Sequence, residues 1–289
     1  MDDERFYFGY GSNLNDADWE AWCNKRGADP TSMKCIGSAW LLDHSMRFHY
    51  HSTGRNGGAA DVVRDGKGTV VPGALFALSD NGWELMDKKE GHPRHYQRVS
   101  VQVVTVEGQV VDAVSYTVTP EKRETSLVIP AEAYANLIQE GLEVRNLPIE
   151  HLKSAIEKYD SNSRLHHVFV YGTLMRGHSR WPQLEPWSFS EVEEGHIMGR
   201  LYHLGAYPGV RLDQSGMVHG ELHRCEDIEK TLETLDLVEG HDERRPGEGL
   251  YARVPVSVQT VNGAVWAWTY VINEAPPPST WLQGGRWGS

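Results

Sequence analysis

Two short runs of the chain carry residue types suited to holding an anion or a carbonyl oxygen. Phe6-Tyr7-Phe8-Gly9-Tyr10-Gly11-Ser12-Asn13-Leu14 has the pattern of a strand running into a glycine-bearing loop, and Val168-Phe169-Val170-Tyr171-Gly172-Thr173-Leu174 repeats it past the middle of the chain. Glycine lets a ligand come close to backbone N–H groups, so such a loop can hold an anion or a carbonyl oxygen. Neither copy has the Walker sequence or a full GxGxxG, which points away from nucleotides. Downstream of each loop stands a carboxylate followed by glycine, Glu90-Gly91 and Glu239-Gly240. Alone, a carboxylate at a helix end is a solvated charge. If each meets its own loop at one pocket, it becomes a general base beside a bed of main-chain donors. Ser12 and Thr173 have no histidine partner nearby in sequence and are assigned to binding rather than to nucleophilic attack.

The elements that must position these residues also occur twice and in the same order. Gly73-Ala74-Leu75-Phe76-Ala77-Leu78 precedes an amphipathic run from Trp83 to Glu90, and Gly220-Glu221-Leu222 precedes one from Ile228 to Glu239 with Leu or Ile at helical spacing. Glycine at 91 and 240 is the expected helix terminator. Tyr96-Gln97-Arg98-Val99 and Tyr251-Ala252-Arg253-Val254 then lead into period-two valines, which predicts strands with one buried face. Runs 113–118 and 267–272 supply a last strand to each copy. Helical periodicity over 131–141 and 149–159 closes the first copy, and 160–163 is the expected linker. Two domains are expected, residues 1–160 and 166–289, with the Pro- and Gly-rich tail from Pro276 lying extended along the second. The loop-to-Glu interval is shorter in the second copy and Asp242–Glu248 is extra there, so the pocket rims should differ.

Composition narrows the alternatives. The 289 residues exceed one ordinary core, and 39% hydrophobic residues suffice to fill two. A formal charge of −12 lacks the basic footprint that nucleic acid or an anionic membrane requires. The acidic start and the absence of a long apolar run predict a cytoplasmic protein. Three cysteines, Cys23, Cys35 and Cys225, have no ligand spacing and are expected to be buried or half-buried thiols in a reducing compartment. His49 and His51 alternate along a probable strand and could share a face as metal ligands. With no Cys or carboxylate partner at established spacing, His44, His49 and His51 are assigned structural or surface roles, and no metal is expected.

Taken together, Tyr-Gly-Ser-Asn-Leu, the Gly57–Val63 stretch, Gly-x-Leu-Phe-x-Leu and Asp-x-x-Glu-Gly with a following Tyr resemble the gamma-glutamylcyclotransferases. The second half, with Val-Tyr-Gly-Thr-Leu, Leu204–Val210, Leu235–Gly240 and a closing Gly-Gly-Arg-Trp, is similar to the gamma-glutamylamine and butirosin-pathway cyclotransferase branch. The resemblance implies an α+β fold: two tandem domains, each a small mixed β-barrel with flanking helices. It implies a reaction in which the substrate's α-amine attacks its own γ-carbonyl, giving 5-oxoproline and a free amine or amino acid, with no protein nucleophile, metal or cofactor. Glu90 and Glu239 match the family's catalytic Glu. Tyr10, Gly11, Ser12, Asn13, Leu14 and Tyr96 fall on substrate-binding positions in the first half, as do Tyr171, Gly172, Thr173, Leu174 and Tyr251 in the second.

A carboxylate of ordinary pKa accepts a proton poorly from an α-ammonium, so both Glu side chains are expected to be enclosed, with raised pKa values, facing residues 10–14 and 171–174. The implied partner is a small gamma-glutamyl molecule, with no nucleic acid or membrane, and the sequence specifies no oligomeric state. Two active sites are expected, against one active and one regulatory or decayed site. A non-catalytic small-molecule binding protein is the alternative, and an amidohydrolase that yields glutamate is a third reading, lacking a Ser/His or Cys/His arrangement in the sequence.

Overall fold

A computed structural model describes residues 6–160 and 163–288; the acidic start at 1–5, linker residues Ser161 and Asn162, and Ser289 lie outside the described residues. The chain divides into two compact units, the first ending at Ser163 apart from Val104–Val110, the second beginning at Arg164.

The first unit contains β1 (Phe6–Gly9), α1 (Asp16–Asn24), β2 (Met33–Leu42), β3 (His44–Ser52), β4 (Gly57–Arg64) and β5 (Val70–Leu78). It continues with α2 (Asp80–Glu90), β6 (Tyr96–Thr105), β7 (Val110–Val118), α3 (Glu132–Glu143) and α4 (Glu150–Glu157). The second contains β8 (His167–Val170), α5 (Trp181–Leu184), β9 (Ser188–Met198), β10 (Arg200–His203) and β11 (Pro208–Arg211). It ends with β12 (Met217–Cys225), α6 (Ile228–Glu239), β13 (Tyr251–Thr260) and β14 (Gly263–Ile272).

Each unit is a closed five-stranded barrel with one cyclic strand order, β1-β5-β2-β6-β7 and β8-β12-β9-β13-β14, and each carries a separate two-stranded ribbon, β3-β4 or β10-β11. Closure is by a parallel pairing, β1 with β7 (Phe6 opposite Ala113) and β8 with β14 (Val168 opposite Trp268), while β5 is antiparallel to β1 and β2, and the remaining neighbours of the second barrel are antiparallel. This is the mixed barrel with flanking helices that the resemblance implies. Phe8, Trp40 and Phe76 of the first unit, and Phe169 and Trp268 of the second, are fully buried, in strand stretches whose neighbouring residues are buried as well. Gly73 and Gly220 stand where β5 and β12 cross the ends of β1 and β8. A Cβ at Gly73 would overlap Gly9 O and the Phe8 ring, and one at Gly220 would overlap Val170 O and the Phe169 ring. The repeated glycine of Gly-x-Leu is thus a close-approach position that lets the barrel close.

The two helices that end in Glu are built alike. Ser79 caps α2 by accepting from Gly82 N–H, and Asp227 caps α6 by accepting from Lys230 N–H. Gly91 (φ 65°) and Gly240 (φ 66°) adopt the left-handed conformation that stops each helix directly after its Glu.

The tail does more than lie extended: a 3-10 turn, Pro278–Thr280, is followed by a bridge from Trp281 to Tyr202 of β10, and Gly285 O accepts from His219 N–H of β12. One cysteine departs from expectation. Cys23 and Cys225 are buried, but Cys35 is exposed, because β2 is solvent-facing over Lys34–Ile36 before it turns into the core. Among the described residues no helix is long and apolar enough to cross a membrane.

Candidate active sites

In each unit the end of β1 or β8 delivers a glycine turn to the same cavity as the terminal Glu of α2 or α6. Leu14 N–H closes the first turn on Gly11 O (3.0 Å) and Met175 N–H closes the second on Gly172 O (3.0 Å). The N–H groups of the two residues inside each turn remain outside its own bonding, which leaves a small nest of donors.

The first cavity, of about 530 Å³, is lined by Tyr10, Gly11, Ser12, Asn13, Glu90 and Tyr96 among others. Asn13 Nδ2 donates to Glu90 Oε1 (2.8 Å) and lies 2.8 Å from Tyr7 OH, while Asn13 Oδ1 is buried with no protein donor. Glu90 keeps part of its surface open, yet the protein around it pushes its carboxyl above the usual range by desolvation, against the Asn13 hydrogen bond and the charges of Lys89 and Arg55. Leu14 does not reach this cavity: it is fully buried, with Gly141 of α3 packed against it.

The second cavity, of about 370 Å³, is lined by Tyr171, Gly172, Thr173, Leu174, Glu239 and Tyr251, together with Arg180 and Tyr207. Leu174 occupies the Asn13 position, so Glu239 has no amide donor there. It is 9% exposed, and burial raises its carboxyl to about 7 despite Arg180 Nη1 at 3.9 Å.

The tyrosines are walls whose hydroxyls are engaged in matching fashion. Tyr10 OH donates to Tyr116 O (2.6 Å) and Tyr171 OH to Tyr270 O (2.7 Å). Tyr96 OH donates to Ala60 O of β4 (2.8 Å), and Tyr251 OH to Pro208 O of β11 (2.5 Å). The ribbon strand in each unit is thereby fixed as one cavity wall. In the first unit β4 is further held by Asp61, which accepts from the N–H groups of Val62 and Val118 (2.9 Å each), from His49 Nε2 (2.7 Å) and from Arg123 Nε (3.1 Å). His49 therefore serves the wall, and His51 on the same strand is exposed.

A further pair of clusters was not read from the sequence, although its residues sit inside the quoted motifs. The Asp of Asp-x-x-Glu and the Arg of Tyr-x-Arg-Val meet the tyrosine of the last strand. Arg98 Nε donates to Asp87 Oδ1 (2.9 Å), to which Tyr116 OH also donates (2.7 Å). Tyr270 OH donates to Asp236 Oδ1 (2.7 Å), with Arg253 Nε at 3.6 Å. Each cluster ties the last turn of the Glu-bearing helix to two barrel strands. Tyr270→Phe should lower stability by about 1.5 kcal/mol, the scale of one hydrogen bond to a charged group, read as a shift in the denaturant midpoint without change of slope.

One Ser–His–Glu row does form, away from the cavities. Ser188 Oγ is 2.8 Å from His223 Nδ1, and His223 Nε2 is 3.1 Å from Glu221 Oε2. Ser188 Oγ donates to Phe189 O (3.0 Å), His223 is wholly buried beside the Trp181 ring, and none of the three lines the cavity around Glu239. The row braces β9 against β12.

Twin barrels of one strand order, each presenting a buried acid to a glycine turn, define a duplicated unit of a single class. The family model described as gamma-glutamyl cyclotransferase, AIG2-like, matches residues 7–136 and again 168–289, and the chain belongs to that family. A Vibrio cholerae protein provisionally named a gamma-glutamylcyclotransferase is 32% identical over 127 residues, which are 42% of this chain and 95% of that protein. A solved structure named gamma-glutamyl cyclotransferase is 24% identical and covers 55% of this chain and 92% of its own, with a TM-score of 0.45. YkqA from Bacillus subtilis is 17% identical and covers 97% of this chain and 89% of its own, with a TM-score of 0.37.

Proposed function

We propose that residues 1–160 and 166–289 each form a gamma-glutamyl cyclotransferase that converts a gamma-glutamyl amine, amino acid or peptide to 5-oxoproline and the free amine, in the cytoplasm and without metal or cofactor. One observation carries this: in both units the Glu that ends the helix lines the same half-open cavity as the glycine turn, and its carboxyl is shifted upward by burial.

An α-ammonium has a pKa of about 8 and an ordinary Glu about 4.3, so proton transfer between them is uphill by several units. With Glu239 at about 7 the gap falls to roughly one unit. Glu takes the proton from the substrate's α-ammonium, and the amine nitrogen attacks the γ-carbonyl carbon. As the C–N bond to the leaving group breaks, Glu returns that proton to the departing nitrogen, and the second proton that the ring nitrogen must shed to become the lactam N–H also leaves on the departing amine, as its ammonium. N–H groups of residues 11–13 and 172–174 stabilise the oxygen that gains charge. Ring closure within one bound molecule draws on effective molarities of ~10^5 M or more once the arm is held bent, so binding geometry accounts for much of the rate.

The test is a product assay of the full chain against gamma-glutamyl amines, amino acids and peptides. 5-Oxoproline is the expected product. Free glutamate instead would establish hydrolysis, and binding with no product would establish the non-catalytic alternative.

A further inference from the structure

Both cavities contain a guanidinium, and the two come from positions that the duplication does not relate. With the loop tyrosines Tyr10 and Tyr171 in register, Arg180 falls opposite Trp19, next to Asp18 of α1. The β3–β4 turn that supplies Arg55 corresponds to the β10–β11 turn, which supplies Tyr207. The sources are therefore exchanged. In the first unit the ribbon turn gives the arginine and α1 gives the acid on which it rests, with Arg55 Nη1 and Nη2 donating to Asp18 (3.0 and 2.9 Å). In the second unit the segment after β8 gives the arginine, and the ribbon turn gives the ring beside it, 5.8 Å from the Arg180 guanidinium carbon. The tyrosine walls, the terminal Glu and the Asp–Arg–Tyr clusters all stand at matching positions. The cation alone is re-established from a different element, and a group restored in this way answers a need of the ligand rather than of the fold.

The surroundings leave each guanidinium able to meet an anion. Arg55 Nη2 also donates to Ser12 Oγ of the glycine turn (2.8 Å), which places the cation directly beside the main-chain donors. Asp18 is shared between Arg55 and Lys89 (Nζ at 2.8 Å), so the trio carries one net positive charge at the cavity. Burial works against ionisation of Asp18, but Arg55 and Lys89 together hold it down at about 2, so Asp18 stays ionised across the neutral range. Arg180 has Glu239 at 3.9 Å and the Val238 carbonyl at 3.4 Å, so that site is net positive whenever Glu239 carries its proton.

We propose that Arg55 and Arg180 bind the α-carboxylate of the glutamyl group, the one anion that every gamma-glutamyl compound carries. This rests on the cyclotransferase function proposed above. A guanidinium there fixes the arm at the end that must fold back. Its charge also lowers the pKa of the neighbouring α-ammonium, which eases transfer of the proton to Glu.

The test uses a gamma-glutamyl alkylamine, which has no carboxylate other than the glutamyl one, and its α-carboxamide counterpart, with amine release as the readout. Chains carrying Glu239→Gln or Glu90→Gln report the first or second unit separately. With the arginines intact, the α-carboxamide is expected to lower kcat/KM by ~30-fold or more, the scale of a lost charge-assisted contact. Arg55→Gln or Arg180→Gln in the matching chain should reduce the α-carboxylate substrate by a similar factor and the α-carboxamide by much less, since only the electrostatic effect on proton transfer is lost there. Equal losses on both substrates would overturn the assignment, since the arginine would then be supporting the protein. So would intact chains that do not distinguish the substrates, a comparison independent of how any arginine variant folds. If the unaltered chain releases no amine from any gamma-glutamyl compound, it is the cyclotransferase function that fails.

Discussion

A chain carrying both Glu90→Gln and Glu239→Gln should release 5-oxoproline at least ~100-fold more slowly than the unaltered chain, the range associated with loss of a general acid–base group. Each single variant should keep the activity of the other unit. Glutamine preserves the shape of the side chain and can still occupy its place at the cavity, but it neither accepts a proton from the α-ammonium nor returns one to the leaving nitrogen. The Glu90→Gln chain isolates the second unit, where the pKa of about 7 sets a pH profile: activity should fall as pH drops through that value, because protonated Glu239 is no longer a base. The Glu239→Gln chain isolates a site in which Asn13 donates to the carboxylate and two cations stand near it. Steady-state rates of the four chains, with 5-oxoproline quantified directly, check this. A double variant that keeps more than about a tenth of the rate would remove both Glu residues from the chemistry.

The second large effect concerns stability and holds whatever the substrate. The carboxyl of Glu239 is raised from 4.5 to about 7, with desolvation as its main cause. Between these values the folded state holds a proton that the unfolded state has released, so stability must fall as pH rises. The penalty is absent below about pH 4.5, grows through the window and is complete above about 7, where it reaches about 3 kcal/mol for a shift of this size. Glu239→Gln removes the ionisation. The variant should come within a few tenths of a kcal/mol of the unaltered chain near pH 4 and exceed it by up to about 3 kcal/mol at pH 8.5, measured by denaturant unfolding at both values. Parallel pH dependence of the two chains would mean that Glu239 ionises as freely in the folded protein as in the unfolded one.

These two effects pull in opposite directions on one side chain. The burial that makes Glu239 a workable base near neutrality also destabilises the unit above pH 7, a local expense of the kind expected at a reactive site.

Much of the architecture was legible because it is locally encoded. Glycine after Glu90 and Glu239 ends a helix through left-handed backbone, and that requirement lies within a few residues of each Glu. Valine alternation after Tyr96 marks the inner face of β6, where Arg98, Ser100 and Gln102 point outward, whereas β13 departs from the one-faced pattern and is buried on both faces over Tyr251–Val256. The duplication was visible because motifs of this local kind recur in one order. Leu14 shows the complementary case. It stands in the loop beside residues that line the cavity, but packing against Gly141 of α3 decides that it faces the core instead.

The sequence by itself determined that one set of elements occurs twice, which helix each terminal Glu ends, and which glycine turn precedes it in the chain. Only the tertiary structure decided what surrounds those acids: Asn13 reaching Glu90 across 77 residues, Arg55 pinned between Asp18 and Ser12, and Arg180 replacing it from another element. The physical reason is one of range. Helix ends and strand faces follow from backbone geometry over a few residues, whereas desolvation and charge coupling depend on which distant side chains are folded against a group, and those leave no periodic trace along the chain.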